Sequence, residues 1–254
     1  MLLDGKTAIV YGAAGGIGSA IARAYAREGA VVHLAGRTEA ALAELATCIR
    51  HDGGTAHVAT VDVLDQDAVE RHAAEVAAGT GIDICFNATS NDDIQGTLLL
   101  DMRFDDFLLP VTKSMTAHFH IATAVGRHMT RTGRGVILVM AGGREAIPRL
   151  GGAHVAWTAL VGLCRQLAAE FGPQGVRVAW LLSPGSPHEP APADEAATHD
   201  AVPGGEAPPG TVGLITCHQP SYAEVANAAT FAASDWARTM TATEINITGG
   251  AVVD

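Results

Sequence analysis

A short apolar run, Thr7 to Tyr11, passes without a spacer into Gly12, Ala13, Ala14, Gly15, Gly16, Ile17 and Gly18, and a helical pattern begins at once. That junction constrains the fold more than anything else in the chain. A strand that turns straight into a helix through glycines needs residues that tolerate unusual backbone angles and lack a Cβ. Gly12 suits the tight turn, Gly16 leaves backbone open to a ligand, and Gly18 lets the helix sit close to the strand. The helix N-terminus then offers unpaired N–H groups and about half a positive charge to an anion. A tight strand-to-helix turn without a ligand would use the same glycines, so further features have to decide.

Composition makes that local anion site the only kind the chain can offer. Its 27 acidic against 16 basic residues give a net charge of −11 over 254 residues. No basic face is left to neutralise a nucleic-acid backbone, so nucleic acid is not an expected partner. Hydrophobic residues make up 48% and charged residues 17%, enough apolar side chain for a large core. No stretch of 18 apolar residues and no basic leader occur, so no membrane association and a cytoplasmic location are expected. Cys48, Cys85, Cys164 and Cys217 are widely spaced, with no CxxC pair and no histidine at ligand spacing. They read as reduced thiols, and no metal site is expected.

Beyond the glycine loop, apolar runs at 31–35, 56–61, 82–87, 136–140, 177–182 and 244–248 alternate with Ala-rich helical patterns. Alternation of this kind specifies repeated βαβ units: a doubly wound, mainly parallel seven-stranded α/β sheet of Rossmann type with helices on both faces. One domain over 1–254 is expected. Ile17, Ile21 and Tyr25 form a core stripe on the first helix. A later helix over 157–170 carries Leu160, Leu163 and Leu167, and Gly172 and Pro173 end it. Its small residues Ala156, Ala159 and Gly162 would admit another helix closely, which points to a homo-oligomer, a dimer or tetramer. From 183 to 220, Pro, Gly and acidic residues replace any period, and a loop or lid beside the ligand crevice is expected there.

Two residues add to the loop. Asp62 follows the third strand, where its carboxylate can accept from an adenine amino group or cap the next helix. Asn87 ends the fourth strand at the border of the same crevice.

With these residues in place, the sequence resembles the short-chain dehydrogenase/reductase family. The family's TGxxxGIG reads YGAAGGIG, with Tyr11 in the threonine position. Its NNAG reads Asn87, Ala88, Thr89, Ser90, and its IRVN…PG reads VRVAWLLSPG, ending at Pro184 and Gly185. LAAEFGP and the C-terminal FAASDWARTMTATEINITGG are also similar to the family. The resemblance implies a nicotinamide dinucleotide bound by Gly12, Ala14, Gly16, Ile17, Gly18, Asp62, Val63, Asn87, Ala88, Pro184 and Gly185, and a small-molecule substrate beside it. The second strand ends in Gly36, Arg37 and Thr38 with no carboxylate to bind ribose hydroxyls, so Arg37 favours NADP(H) over NAD(H).

The family's catalytic residues do not carry over. Its tyrosine and lysine positions fall on Ala153 and Trp157, and an alignment shifted by two gives Val155 and Ala159 instead. No tyrosine lies between Tyr25 and Tyr222, and the lysines are Lys6 and Lys113. The serine position falls within Ala141, Gly142 and Gly143, and the asparagine position on Ser114. Replacement candidates are His154, able to titrate near neutral pH, Ser114, and Arg144 as a carboxylate contact. Each has a plain alternative as a capping, packing or surface residue, as do His118, His120, Glu145 and Trp157. The sequence therefore supports a dinucleotide-binding oxidoreductase-like enzyme with atypical or non-redox catalysis, or an inactive sensor or supporting subunit on the same fold.

Overall fold

The computed structural model describes residues 1–183, 215–216 and 219–253. Seven strands, β1 (Thr7–Tyr11), β2 (Val31–Gly36), β3 (Thr55–Thr60), β4 (Ile84–Asn87), β5 (Gly135–Ala141), β6 (Val176–Leu182) and β7 (Thr243–Asn246), build one sheet in the order β3-β2-β1-β4-β5-β6-β7. Every pairing is parallel. The helices are α1 (Gly16–Arg27), α2 (Glu39–His51), α3 (Gln66–Gly79), α4 (Phe104–Thr132), α5 (Ala153–Phe171) and α6 (Tyr222–Ala233).

The strand alternation separates two cores. Ala8 and Val10 of β1 face a cluster with Ile21 and Tyr25 of α1, Leu42 of α2 and Val225 of α6. Ile9 and Tyr11 face the other side, with Val69 of α3, Ile121 of α4 and Leu160 of α5. Both faces of a parallel sheet are covered in this way, and its central strands are apolar throughout for the same reason. The chain winds from β1 to β3 in one direction and from β4 to β7 in the other. The reversal between β1 and β4 opens a crevice at the strands' C-terminal ends, where this architecture places ligands.

Element boundaries moved where side chains compete with the ladder. The stretch at 82–87 is regular strand only from Ile84, although the Asp83 N–H still donates to the Thr7 carbonyl at 3.0 Å and its carbonyl accepts the Val136 N–H at 2.9 Å; the Asp83 carboxylate also takes the Thr7 N–H at 2.9 Å and an Arg134 ion pair at 3.0 Å. The last strand is Thr243–Asn246 and not 244–248: Asn246 Oδ1 accepts from both the N–H and hydroxyl of Thr248 and turns the chain. Helix α5 begins at Ala153, four residues before 157, directly after Gly151 and Gly152. The loop expected at 183–220 lies largely outside the described residues, as does Cys217; Cys85 and Cys164 are buried and Cys48 is partly so. Among the described residues no helix is long and apolar enough to cross a membrane.

On the same sheet face as Ile9 and Tyr11, His33 of β2 and His57 of β3 are register partners with rings stacked at 4.8 Å. Burial, aided by His57 and His72, pushes the His33 imidazole down to about 4. The unfolded chain binds that proton from about pH 6.5, so the stabilisation is full above pH 6.5 and is lost as pH falls toward 4. Thermal unfolding followed by circular dichroism should show the melting temperature falling across that window, and His33→Leu should flatten the fall. A variant with the same pH dependence as wild type would contradict this assignment.

Candidate functional site

The crevice depends first on how closely α1 sits on β1. A Cβ on residue 18 would lie 2.2 Å from the Gly12 carbonyl oxygen, and one on residue 12 would lie 2.6 Å from the Ala88 carbonyl oxygen. Gly12 also has φ +75°, a left-handed backbone that L side chains avoid. Glycine at both places lets strand, loop and helix close up, with the first amides of α1 facing the crevice.

Two cavities share Gly15, Ala88, Thr89 and Ser90, and so form two ends of one crevice. The smaller, about 260 Å³, is lined by Gly12, Ala14, Arg37, Asp62 and Val63 from the ends of β1, β2 and β3. Asp62 is oriented by its own turn, Oδ1 accepting the Leu64 N–H at 3.0 Å. Arg37 has no hydrogen bond or ion pair among the described residues, so its charge is unspent. Asp92 and Lys113, which sequence reasoning did not single out, face each other in the same cavity. The fit to an adenosine and its phosphates rests on this set: a free guanidinium, a held carboxylate, and a loop that a Cβ would fill.

The larger cavity, about 510 Å³, takes in Gly16, Ile17 and Gly18, Ser114 and His118 of α4, Gly142 after β5, and Trp157 of α5. Tyr222, the first residue of α6, stands over the glycine loop: a Cβ on Gly16 would lie 2.5 Å from its ring. A capping box between Ser221 and Glu224 fixes the start of that helix. Neither Tyr222 nor Lys113 carries a local sequence signal, because each reaches the crevice from a distant element.

At the inner end the arrangement is aromatic. The Trp157 indole lies across Gly142, whose missing Cβ would fall 2.0 to 2.4 Å from the ring-fusion side of the indole. Ala153, one turn earlier, is fully buried. Among the described residues, β5 and α5 bring no tyrosine, lysine or serine to this cavity, which Ser114, Ser183 and Tyr222 line from other elements.

On α4 the polar groups are arranged with a defined tautomer. His118 Nδ1 lies 2.8 Å from the Ser114 carbonyl oxygen. A carbonyl only accepts, so Nδ1 carries the proton and Nε2 is left as an acceptor. Burial pushes this imidazole down to about 4, so it is neutral at pH 7. Ser114 itself is buried and lines the same cavity, its hydroxyl 3.4 Å from His118 Nδ1.

The remaining predicted residues are placed as follows. Asn87 is buried, and its Oδ1 accepts from the Thr89 N–H at 3.0 Å and hydroxyl at 2.7 Å, so it shapes the loop after β4. Arg144 pairs with Glu244 of β7 at 2.6 Å, and that carboxylate also takes the Trp180 indole N–H. His154 sits half-buried on the first turn of α5 and is not among the residues lining either cavity. Pro184 and Gly185 lie outside the described residues.

Known proteins are similar to this chain in sequence and in architecture. The sequence profile of the family described as enoyl-(acyl carrier protein) reductase matches residues 12–252. D-threitol dehydrogenase of Mycolicibacterium smegmatis is 37% identical over 181 residues, 69% of this chain and 68% of that protein. Gluconate 5-dehydrogenase of Gluconobacter oxydans is 33% identical over 183 residues, 69% of each. An uncharacterized oxidoreductase of Bacillus subtilis is 30% identical over 98% of this chain and 91% of its own length. Among solved structures, a dehydrogenase/reductase from Sinorhizobium meliloti superposes with a TM-score of 0.81 at 26% identity, covering 99% of this chain and 96% of that one. A citronellol catabolism dehydrogenase of Pseudomonas aeruginosa gives 0.81 at 26% identity over 98% and 96%.

The fit between Gly142 and Trp157 can be tested directly. Gly142→Ser drives a side chain into the indole and should cost about 1–3 kcal/mol, the usual range for overpacking. Trp157→Ala should remove that penalty, so a double-mutant cycle monitored by urea unfolding should show strong coupling. Additive effects would mean that the two residues do not constrain each other.

Proposed function

The chain belongs to the short-chain dehydrogenase/reductase family, and from that premise we propose that it binds NADP(H) along the crevice and acts on a small organic substrate without the family's tyrosine and lysine. The Trp157 indole packed on Gly142 carries this reading. It fills volume at the inner end of the crevice, and with Ala153 beside it, β5 and α5 bring no hydroxyl or ammonium to that end to move a proton. Loss of such a general acid costs about 10² to 10⁴ in rate unless another group takes its place.

Arg37 supports the phosphorylated dinucleotide. It lines the adenosine cavity with no partner among the described residues, and β2 ends without a carboxylate. Gly12, Ala14, Gly16, Ile17 and Gly18 bring backbone to the pyrophosphate, Asp62 and Val63 border the adenine, and Ala88 lies at the junction of the two cavities. A bound nicotinamide supplies hydride chemistry. The chain's own contribution at that end is the Ser114 hydroxyl, the His118 Nε2 acceptor, and a water-excluding aromatic floor at Trp157.

The threitol and gluconate dehydrogenases among the relatives make polyols and sugar acids the first substrates to try. A homo-oligomer belongs to the same reading: Val155 is exposed on α5, and Gly162 has open space around it. The missing hydroxyl and ammonium equally favour a second reading, a dinucleotide-responsive binding protein without turnover.

Fluorescence titration with NADPH and NADH should give about tenfold tighter binding of NADPH, and Arg37→Ala should abolish the difference. No binding of either at millimolar concentration would overturn both readings. NADPH consumption across a carbonyl panel, or NADP⁺ reduction across a polyol panel, then separates the enzyme from the binding protein.

A further inference from the structure

The adenosine cavity contains a charge arrangement that the glycine loop does not explain. Lys113, on α4, lines it together with Arg37, and its ammonium hydrogen-bonds the Asp92 carboxylate. Asp92 lies in the loop after β4 with φ +53°, a left-handed conformation that a non-glycine residue adopts only when its surroundings impose it. Ser90 imposes it from one side: the Ser90 hydroxyl donates to Asp92 Oδ1 at 3.1 Å and accepts the Asp92 N–H at 3.1 Å. Lys113 takes Oδ2. The Lys113 bond above all, with Ser90 and the Arg37 charge, holds the Asp92 carboxyl below the usual carboxylate range. Both cations of the cavity thus act on this one anion, although Arg37 makes no contact with it.

We propose that Asp92 is an internal stand-in for a ligand phosphate: its carboxylate holds Lys113 at the adenosine cavity, and the 2′-phosphate of the dinucleotide replaces it as the anion shared by Lys113 and Arg37. The inference rests on the NADP(H) reading and assigns that selectivity to two further residues. Exchange is feasible because the side chains are 28% and 42% exposed, in the range where an ion pair contributes little net stability. A phosphate near neutral pH carries more charge than a carboxylate and offers three acceptor oxygens, which a guanidinium and an ammonium can share. Asp92 keeps the two cations from standing uncompensated when no dinucleotide is bound, and the 2′-phosphate must displace it from Lys113, a cost that a ligand without that phosphate does not meet.

The test uses the adenosine half of the ligand alone, by isothermal titration of 2′,5′-ADP and 5′-AMP at low salt. Wild type should prefer 2′,5′-ADP. Lys113→Gln should shrink the preference about fivefold, while Lys113→Arg should retain it. Asp92→Asn should enlarge the preference about threefold, with 5′-AMP affinity nearly unchanged; such factors correspond to removing or freeing one charge-assisted contact. A wild-type preference that neither Lys113→Gln nor Asp92→Asn alters would overturn this assignment and leave Arg37 as the phosphate ligand. An equal shift for both ligands in Asp92→Asn would also overturn it, as a general field effect. No preference in wild type or in Asp92→Asn would overturn the NADP(H) reading and this inference together.

Discussion

The packing of Gly18 against the Gly12 carbonyl oxygen is the contact on which the rest depends. Any side chain at 18 would enter that oxygen's van der Waals radius, and α1 would have to lift off β1. The amides at the start of α1 would then leave the crevice, and an acidic chain with a charge of −11 would lose its means of holding a polyanion. The same contact sets the depth of the crevice, because Gly12 in turn lies against the Ala88 carbonyl at the end of β4. Close approach at two glycines thus joins β1, α1 and the loop after β4 into one wall.

Along that wall the two ends differ in chemistry. The adenosine end is built from charged groups with alternative partners: Arg37 unspent, Lys113 shared with Asp92, Asp62 held by its own turn. The inner end is built from shape. Trp157 on Gly142 is a complementary pair in which the large residue needs the small one, and the polar groups left nearby come from α4.

Much of this was legible in the sequence, for physical reasons. Central parallel strands buried on both faces must be apolar along their length, which makes them legible as runs, while the more exposed edge strands β3 and β7 were placed by the alternation of runs with helical patterns. The glycine loop was legible because its constraint is local, within seven residues. Boundaries were less legible where one polar side chain decided them: Asn246 ends β7 early. That α5 carries no tyrosine or lysine could be read from position alone, but the packing of Trp157 on Gly142 could not, since fourteen residues of loop and helix lie between them. Lys113, Asp92 and Tyr222 were missed because their meaning comes only from which cavity they reach. Lys113 is one residue from Ser114, yet it faces the adenosine end while Ser114 faces the inner end.

The central claim is that a nicotinamide dinucleotide lies along this crevice with its reactive ring toward the Trp157 floor. Energy transfer from tryptophan to bound NADPH tests it most directly, because Trp157 lines the inner cavity while Trp180 is buried in the core and Trp236 is exposed. Excitation of tryptophan in the presence of NADPH should give nicotinamide emission, and Trp157→Phe should remove most of it without abolishing NADPH binding. Transfer that is absent in wild type despite binding, or unchanged in Trp157→Phe, would contradict the account.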